Sequence, residues 1–195
     1  RLMYWQVYLH KTAVACEKVL INALNRAKFL RMTGHDIFAS PSLDYFLCNN
    51  IDASHFHTSP EALEHYSLLD DNDIWCALKV WQKSNDKILA LLSSDVINRH
   101  IFKVEVSDSP FPSDYVCQIK EQLASHFNIS PDDTKHLYSI DTVQKDMYDI
   151  NDDHISILYK DGTLRDIAEA SDILNISLLS RKVKKHYFCY QKIPD

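Results

Sequence analysis

A mostly helical region over residues 1–100 followed by a small α+β, ferredoxin-like lobe over residues 101–195 is the fold class this sequence predicts. Three observations carry it. As far as Arg99 the apolar residues recur in alternating steps of three and four, the period of a helix face. From Phe102 the period falls to two, with Phe102, Val104 and Val106 alternating with Lys103 and Glu105, as in a half-buried strand. The boundary falls near Arg99–Phe102, and beyond it strand and helix patterns follow in the order strand, helix, strand, strand, helix, strand, with one extra hairpin arm.

The first helix is expected from Arg1 to Arg31 or Met32, where neither proline nor glycine interrupts, and Gly34 ends it. Its apolar face is Ala13, Cys16, Leu20, Ala23, Ala27 and Leu30. A short helix follows over 42–47, with Ser42 as its cap and Leu43, Phe46 and Leu47 inward. Residues 49–59 read as loop. Ser59-Pro60-Glu61 starts the next helix, with serine at the cap and proline in the first turn. Asp70, Asp71 and Asp73 cap another, in which Ile74, Trp75, Leu78 and Trp81 have helical spacing. A further helix from Asn85 or Asp86 carries Ile88, Leu89, Leu92, Val96 and Ile97, and the connections are short enough for a packed bundle.

In the lobe, Pro110 and Pro112 break the first strand, and Ser113 and Asp114 cap a helix with Val116, Ile119, Leu123 and Phe127 on one face. Leu137 to Val143 reads as a strand. Ile155, Ile157 and Tyr159 form the next, and Asp161-Gly162 predicts a type I′ hairpin into 163–167. Ser171 or Asp172 caps a last helix through Leu179, and Val183–Gln191 closes the chain as a strand.

Composition excludes several classes. Charged residues make up 25% and hydrophobic residues 46%, so the chain can bury a core and is not disordered. Net charge is −6, so specific nucleic-acid binding is not expected. The five cysteines are scattered and never in a Cys-x-x-Cys, which fits reduced thiols in a cytoplasmic protein. No apolar run reaches membrane-span length, so no membrane partner is expected. Two glycines are too few for a P-loop or a dinucleotide fingerprint. The chain opens on arginine inside an amphipathic pattern, and the expectation is a cut through a longer protein.

Chemistry concentrates at the opening. Arg1, Tyr4, Tyr8 and Lys11 are spaced three, four and three, one stripe of a helix. Two cations bracketing two phenols suit a ligand with phosphates and a flat ring; a buried aromatic pair flanked by solvated charges is the other reading. Arg99 and Lys103 straddle the helix-to-strand junction as phosphate contacts, unless Arg99 serves only to satisfy the carbonyls that end its helix. His35-Asp36 follows the helix-ending glycine and reads as a loop pair. His55, His57 and His65 lack evident further ligands. Lys182, Lys184 and Lys185 read as a solvated strand edge.

The run Met3-Tyr-Trp-Gln-Val-Tyr8-Leu-His10-Lys11-Thr, followed by Ala-x-x-Cys-Glu-Lys-Val-Leu20, resembles the segment just after the catalytic core of HD-domain phosphohydrolases. Asn-Arg99-x-Ile-Phe-Lys103 resembles the junction that follows the same helices there, and the Asp161-Gly162 hairpin suits the C-terminal lobe. The resemblance covers the whole chain and extends to dNTP triphosphohydrolases. It implies a parent enzyme that hydrolyses a phosphate ester, of a nucleotide, at a divalent ion (Mn, Mg, Fe or Zn type). The H…HD…D ligands of that ion would lie upstream of Arg1, in the HD core of the same chain, so this part binds no cofactor and holds no catalytic residue or metal ligand itself.

By the same resemblance Tyr8, with Tyr4, lines the substrate pocket, and His10, Lys11, Arg99 and Lys103 contact a nucleotide or its phosphates at an interface of a homo-oligomer. Tyr4 and Trp5 stand where those dNTPases carry a histidine and an arginine, which leaves the substrate and control by nucleotide open. Two rival readings stand beside this one. One is a non-catalytic regulatory or oligomerisation module that binds a small effector or a partner subunit. The other is a metal site built from His35-Asp36 with His55 or His57.

Overall fold

The computed structural model of the chain describes residue 7 and residues 9–145, 156–166 and 183–193. The helical region holds α1 (Lys11–Met32), α2 (Pro41–Cys48), α3 (His55–Thr58), α4 (Pro60–Leu68), α5 (Asp71–Trp81) and α6 (Lys87–Asn98). The α+β lobe holds β1 (Lys103–Ser107), α7 (Ser113–Phe127), a 3-10 segment (Pro131–His136), β2 (Tyr138–Lys145), β3 (Ser156–Leu158), β4 (Leu164–Asp166) and β5 (Val183–Tyr190). A helical region followed by a small α+β lobe is the predicted architecture. The expected helix over 171–179 lies outside the described residues.

The end of α1 is where the sequence puts it. Gly34 has φ +86, and its N–H and that of His35 close back on the carbonyls of Arg31 and Leu30 at 3.1 and 3.0 Å. Its start is not. His10 is extended (φ −62, ψ 134) and caps the helix, its Nδ1 accepting from the Thr12 N–H at 3.2 Å. The buried face is also rotated from the expected one: Val14, Val19, Ala23, Ala27 and Leu30 are buried together with Asn22 and Arg26, while Ala13 and Cys16 are exposed.

Asn22 and Arg26 lie one turn apart on that face, and both reach the lobe. The Asn22 amide donates to the carbonyls of His136 and Tyr138 at 3.0 and 3.2 Å and accepts from the Ser139 hydroxyl. The Arg26 guanidinium donates twice to Asp86, at 3.1 and 2.6 Å, and also to Asp133. Polar residues occupy an inward face here because each of them finds a partner there.

Local capping explains the remaining helices. Ser40, with Pro41 behind it, caps α2, not Ser42, which is buried. The expected loop over 49–59 contains α3. Ser59 caps α4, and Asp70 and Asp73 form a reciprocal capping box on α5. Within α5, Ala77, Leu78 and Trp81 are buried, whereas Trp75 is 47% exposed. Pro112, not Ser113, stands at the start of α7, whose Val116, Ile119 and Leu123 face inward as expected.

The sheet of the lobe runs β1–β5–β2, antiparallel throughout, with Val104 opposite Cys189 and Ile140 opposite Phe188. A ferredoxin-like sheet places the last strand at an edge; here the last strand is central among the described strands. All of 186–190 are buried, so β5 is covered on both faces, not on one. Phe188 packs against Phe111, Tyr115 and Tyr138 on one side. On the other, the Tyr187 hydroxyl donates to the Leu9 carbonyl at 3.1 Å.

The separate hairpin β3–β4 does not turn through a type I′ pair. Leu158 pairs with Leu164, the Tyr159 N–H donates to Thr163, and Gly162 (φ +83) takes the left-handed conformation that closes a three-residue loop. Helices and lobe share one core, with Val19, Leu78 and Leu89 in the same cluster as Phe102, Leu123, Leu137 and Phe188.

Candidate functional site

At the opening of the chain, the tie between Tyr187 and Leu9 holds the start of α1 against β5, immediately before His10. Lys11 is the first helical residue and is exposed. Because His10 is extended, the helical stripe Arg1, Tyr4, Tyr8 and Lys11 does not continue unbroken into α1. Histidine is not a favoured cap residue, so the sequence carried no cue for a start here. Tyr4 and Tyr8 themselves lie outside the described residues.

The other end of the expected site is the close of α6. Arg99 adopts the left-handed conformation (φ 60, ψ 34) that usually belongs to glycine. In consequence the backbone N–H of His100 reaches the Asp95 carbonyl at 2.9 Å, and that of Arg99 reaches Val96. Main-chain groups satisfy the helix end, which leaves the exposed guanidinium of Arg99 available for other partners. Arg99 and Thr12, the neighbour of Lys11, line one groove between α1, α5 and α6. Fold and sequence thus bring the first turn of α1 and the last turn of α6 to a common wall. Asp95 sits in that wall almost fully buried; it accepts from the Gln191 amide at 2.8 Å, and burial pushes its carboxyl above the usual range.

Lys103 is not at that wall. It extends from β1 into a cleft of about 820 Å³ between β1, α7 and the end of β5. Its ammonium lies 3.2 Å from Glu105 and 5.3 Å from the centre of the Tyr190 ring. Glu105 also accepts from the hydroxyls of Tyr190 and Tyr115, at 2.6 and 3.0 Å. Burial raises the Glu105 carboxyl, but these donors outweigh it and hold the group below the usual glutamate range. Burial and the same carboxylate push the Tyr190 hydroxyl up to about 12. Gln118, Gln122 and His126 of α7 complete the cleft. A cation over a phenol face beside side-chain amides can hold an anion attached to a flat ring.

Sequence reasoning reached Lys103 but missed Tyr115, Glu105 and Tyr190. They are 10 and 75 residues apart along the chain: the pairing of β1 with β5 brings Glu105 and Tyr190 together, and the packing of α7 brings Tyr115 to them. The remaining motifs have local partners. His35 lies beside Thr33, 3.1 Å away, and Asp36 is fully exposed, 3.8 Å from Arg31, both in the connection after α1. His55 pairs with Asp52 at 2.8 Å, and the His65 ring stacks on Tyr45 at 4.3 Å. Among the described residues no group of three or more His, Cys, Asp or Glu side chains could hold a metal ion. They do not supply the divalent centre that the HD resemblance implies. None of the described helices is long and apolar enough to cross a membrane.

No family model matches the chain. Among curated proteins it is 27% identical over 201 residues to the uncharacterised protein YwfO of Bacillus subtilis, covering 97% of this chain and 42% of that one. Among solved structures it is similar to a phosphohydrolase from Bacteroides thetaiotaomicron, with a TM-score of 0.91 and 53% identity. That match covers 98% of this chain and 48% of the other, so the chain spans about half the length of these relatives.

Proposed function

We propose that this chain is the C-terminal part of an HD-type, metal-dependent phosphohydrolase that acts on nucleotides. It contributes a wall of the substrate pocket and contacts between subunits. The observation that carries the reading is the 53% identity, over 98% of the chain and with the same fold, to a protein named a phosphohydrolase. The chain matches about half the length of these relatives, and in this reading the parent's chemistry is a property of the longer protein. In the same reading the ligands of the divalent ion belong to that remainder.

Within this part, Lys11 and Arg99 are exposed cations at neighbouring helix ends, and it is the backbone of Arg99, not its guanidinium, that closes α6. Such groups are suited to phosphate oxygens. Tyr8 and Tyr4 stack a base in the same reading, and His10 adds an imidazole beside Lys11. Lys103 serves a different face of the lobe. A second reading, effector binding by the lobe, is favoured by the cleft in which Lys103, Tyr190 and the amides of α7 meet.

The test uses the longer protein. It is assayed for release of phosphate or triphosphate from deoxynucleoside triphosphates, with and without a chelator. Metal-dependent hydrolysis is expected from the longer protein and none from this chain alone. A longer protein that hydrolyses no phosphate ester overturns the proposal. If Lys11→Ala alters neither nucleotide binding nor oligomeric state, the role given to the opening is wrong.

A further inference from the structure

Helix α1 carries two apolar faces, and among the described residues only one of them is filled. Val14, Val19, Ala23 and Leu30 fill the core. Cys16, Leu20 and Leu24 instead face a groove of about 690 Å³ whose other walls are Ile74 and Trp75 of α5 and Val96 of α6. Trp75 is 47% exposed and Cys16 is exposed, although both lie at positions where the sequence pattern expects burial. A helix with apolar residues round most of its girth is one that is covered on most sides. Glu17, Asp71 and Arg99 add charged groups to the lining. Apolar surface accompanied by charged groups is the anatomy of an interface.

We infer that this groove is the seat of an apolar segment from the half of the longer protein that this chain does not include. The length comparison argues for that occupant. The phosphohydrolase that shares this fold over 98% of the chain devotes more than half of its own length to other residues, and YwfO does the same. Arg99 lines the same groove, so a segment seated there approaches one of the cations assigned to phosphate. A helix laid into a groove walled by three helices is the matching mode of recognition. The inference rests on the reading of the chain as part of a longer protein, and not on the chemistry of that protein.

The test compares this chain with the longer protein by two local probes. Thiol labelling by iodoacetamide is read peptide by peptide, with the exposed Cys117 on α7 as the internal control. Quenching of Trp75 by acrylamide is read as the difference from Trp75→Phe, because Trp5 and Trp81 also emit. In the longer protein Cys16 labelling is lost and Trp75 emission moves to shorter wavelength, while Cys117 labelling is unchanged. In addition, Trp75→Glu lowers the Tm of the longer protein and leaves that of this chain unchanged.

Equal labelling of Cys16 in both proteins overturns the inference. So does protection already present in this chain: if it falls on dilution the occupant is a second copy, and if it does not the chain covers its own groove. A longer protein that hydrolyses phosphate esters with Cys16 open sinks this inference alone. One that is inactive with Cys16 closed sinks only the proposed function.

Discussion

His136 makes the chain's stability depend on pH in a way that one substitution removes. The ring is 5% exposed, in the joint where α1 meets the lobe, and its Nε2 has no hydrogen-bond partner among the described residues. Burial, and then the positive charges of Arg26 and Lys135, lower its pKa from 6.5 to about 4. The unfolded chain therefore takes up a proton near pH 6.5 that the folded chain refuses until about pH 4. The contribution to stability is complete above pH 6.5 and is lost as the pH falls from 6.5 towards 4. With about 1.4 kcal/mol per pH unit, the loss is about 2 kcal/mol at pH 5 and about 3 kcal/mol at pH 4.

His136→Phe keeps an aromatic ring against Phe29, whose centre is 5.9 Å away, and removes both the proton site and the unpaired nitrogen. Urea unfolding of both chains at pH 7, 6, 5 and 4.5 checks the claim. The difference in unfolding free energy between variant and parent chain should shift in the variant's favour by about 2 kcal/mol between pH 7 and pH 5. Other titrating groups, including the raised Asp95, are common to both chains and cancel in the difference. Parallel pH profiles for the two chains would refute the reasoning.

Three further outcomes follow from the geometry. Arg26→Met should cost roughly 3–5 kcal/mol in urea unfolding, because Asp86 and Asp133 lose the guanidinium that both carboxylates face. Arg99→Gly should raise the unfolding free energy of this chain by about 1 kcal/mol, since φ 60 strains a residue with a Cβ. The same change should weaken nucleotide binding by the longer protein, and unaltered binding argues against a phosphate contact for Arg99. Cys189 is buried with its thiol pushed up to about 12, so reagent titration of the native chain should label Cys16, Cys48, Cys76 and Cys117 and spare Cys189 until urea is added.

Much of the helical half was legible because its signals are local. Ser59-Pro60, Asp70 with Asp73, Asp86 and Gly34 each act on the backbone within a turn of where they stand. Failures occurred where the local signal was atypical. His10 caps α1 although imidazoles seldom do, and Arg99 occupies a conformation that glycine normally marks. Of the candidate site, the exposed cations Lys11, Arg99 and Lys103 were legible as residue types. Their grouping was not, because Arg99 turns to the groove with Thr12 while Lys103, four residues later, points into the cleft with Tyr190.

By itself, then, the sequence determined where most elements lie, because helical and strand periods and caps are written in neighbouring residues. Only the tertiary structure decided which face of each element is covered. On α1 it buried Asn22 and Arg26, because hydrogen-bond partners 60 to 117 residues away offset the loss of their hydration, and it left Cys16 and Leu20 at an open groove. It also placed the last strand at the centre of the sheet, where burial on both faces replaced the alternation its residues suggest. Pairings over such separations depend on how the whole chain closes, and no short stretch of residues encodes that.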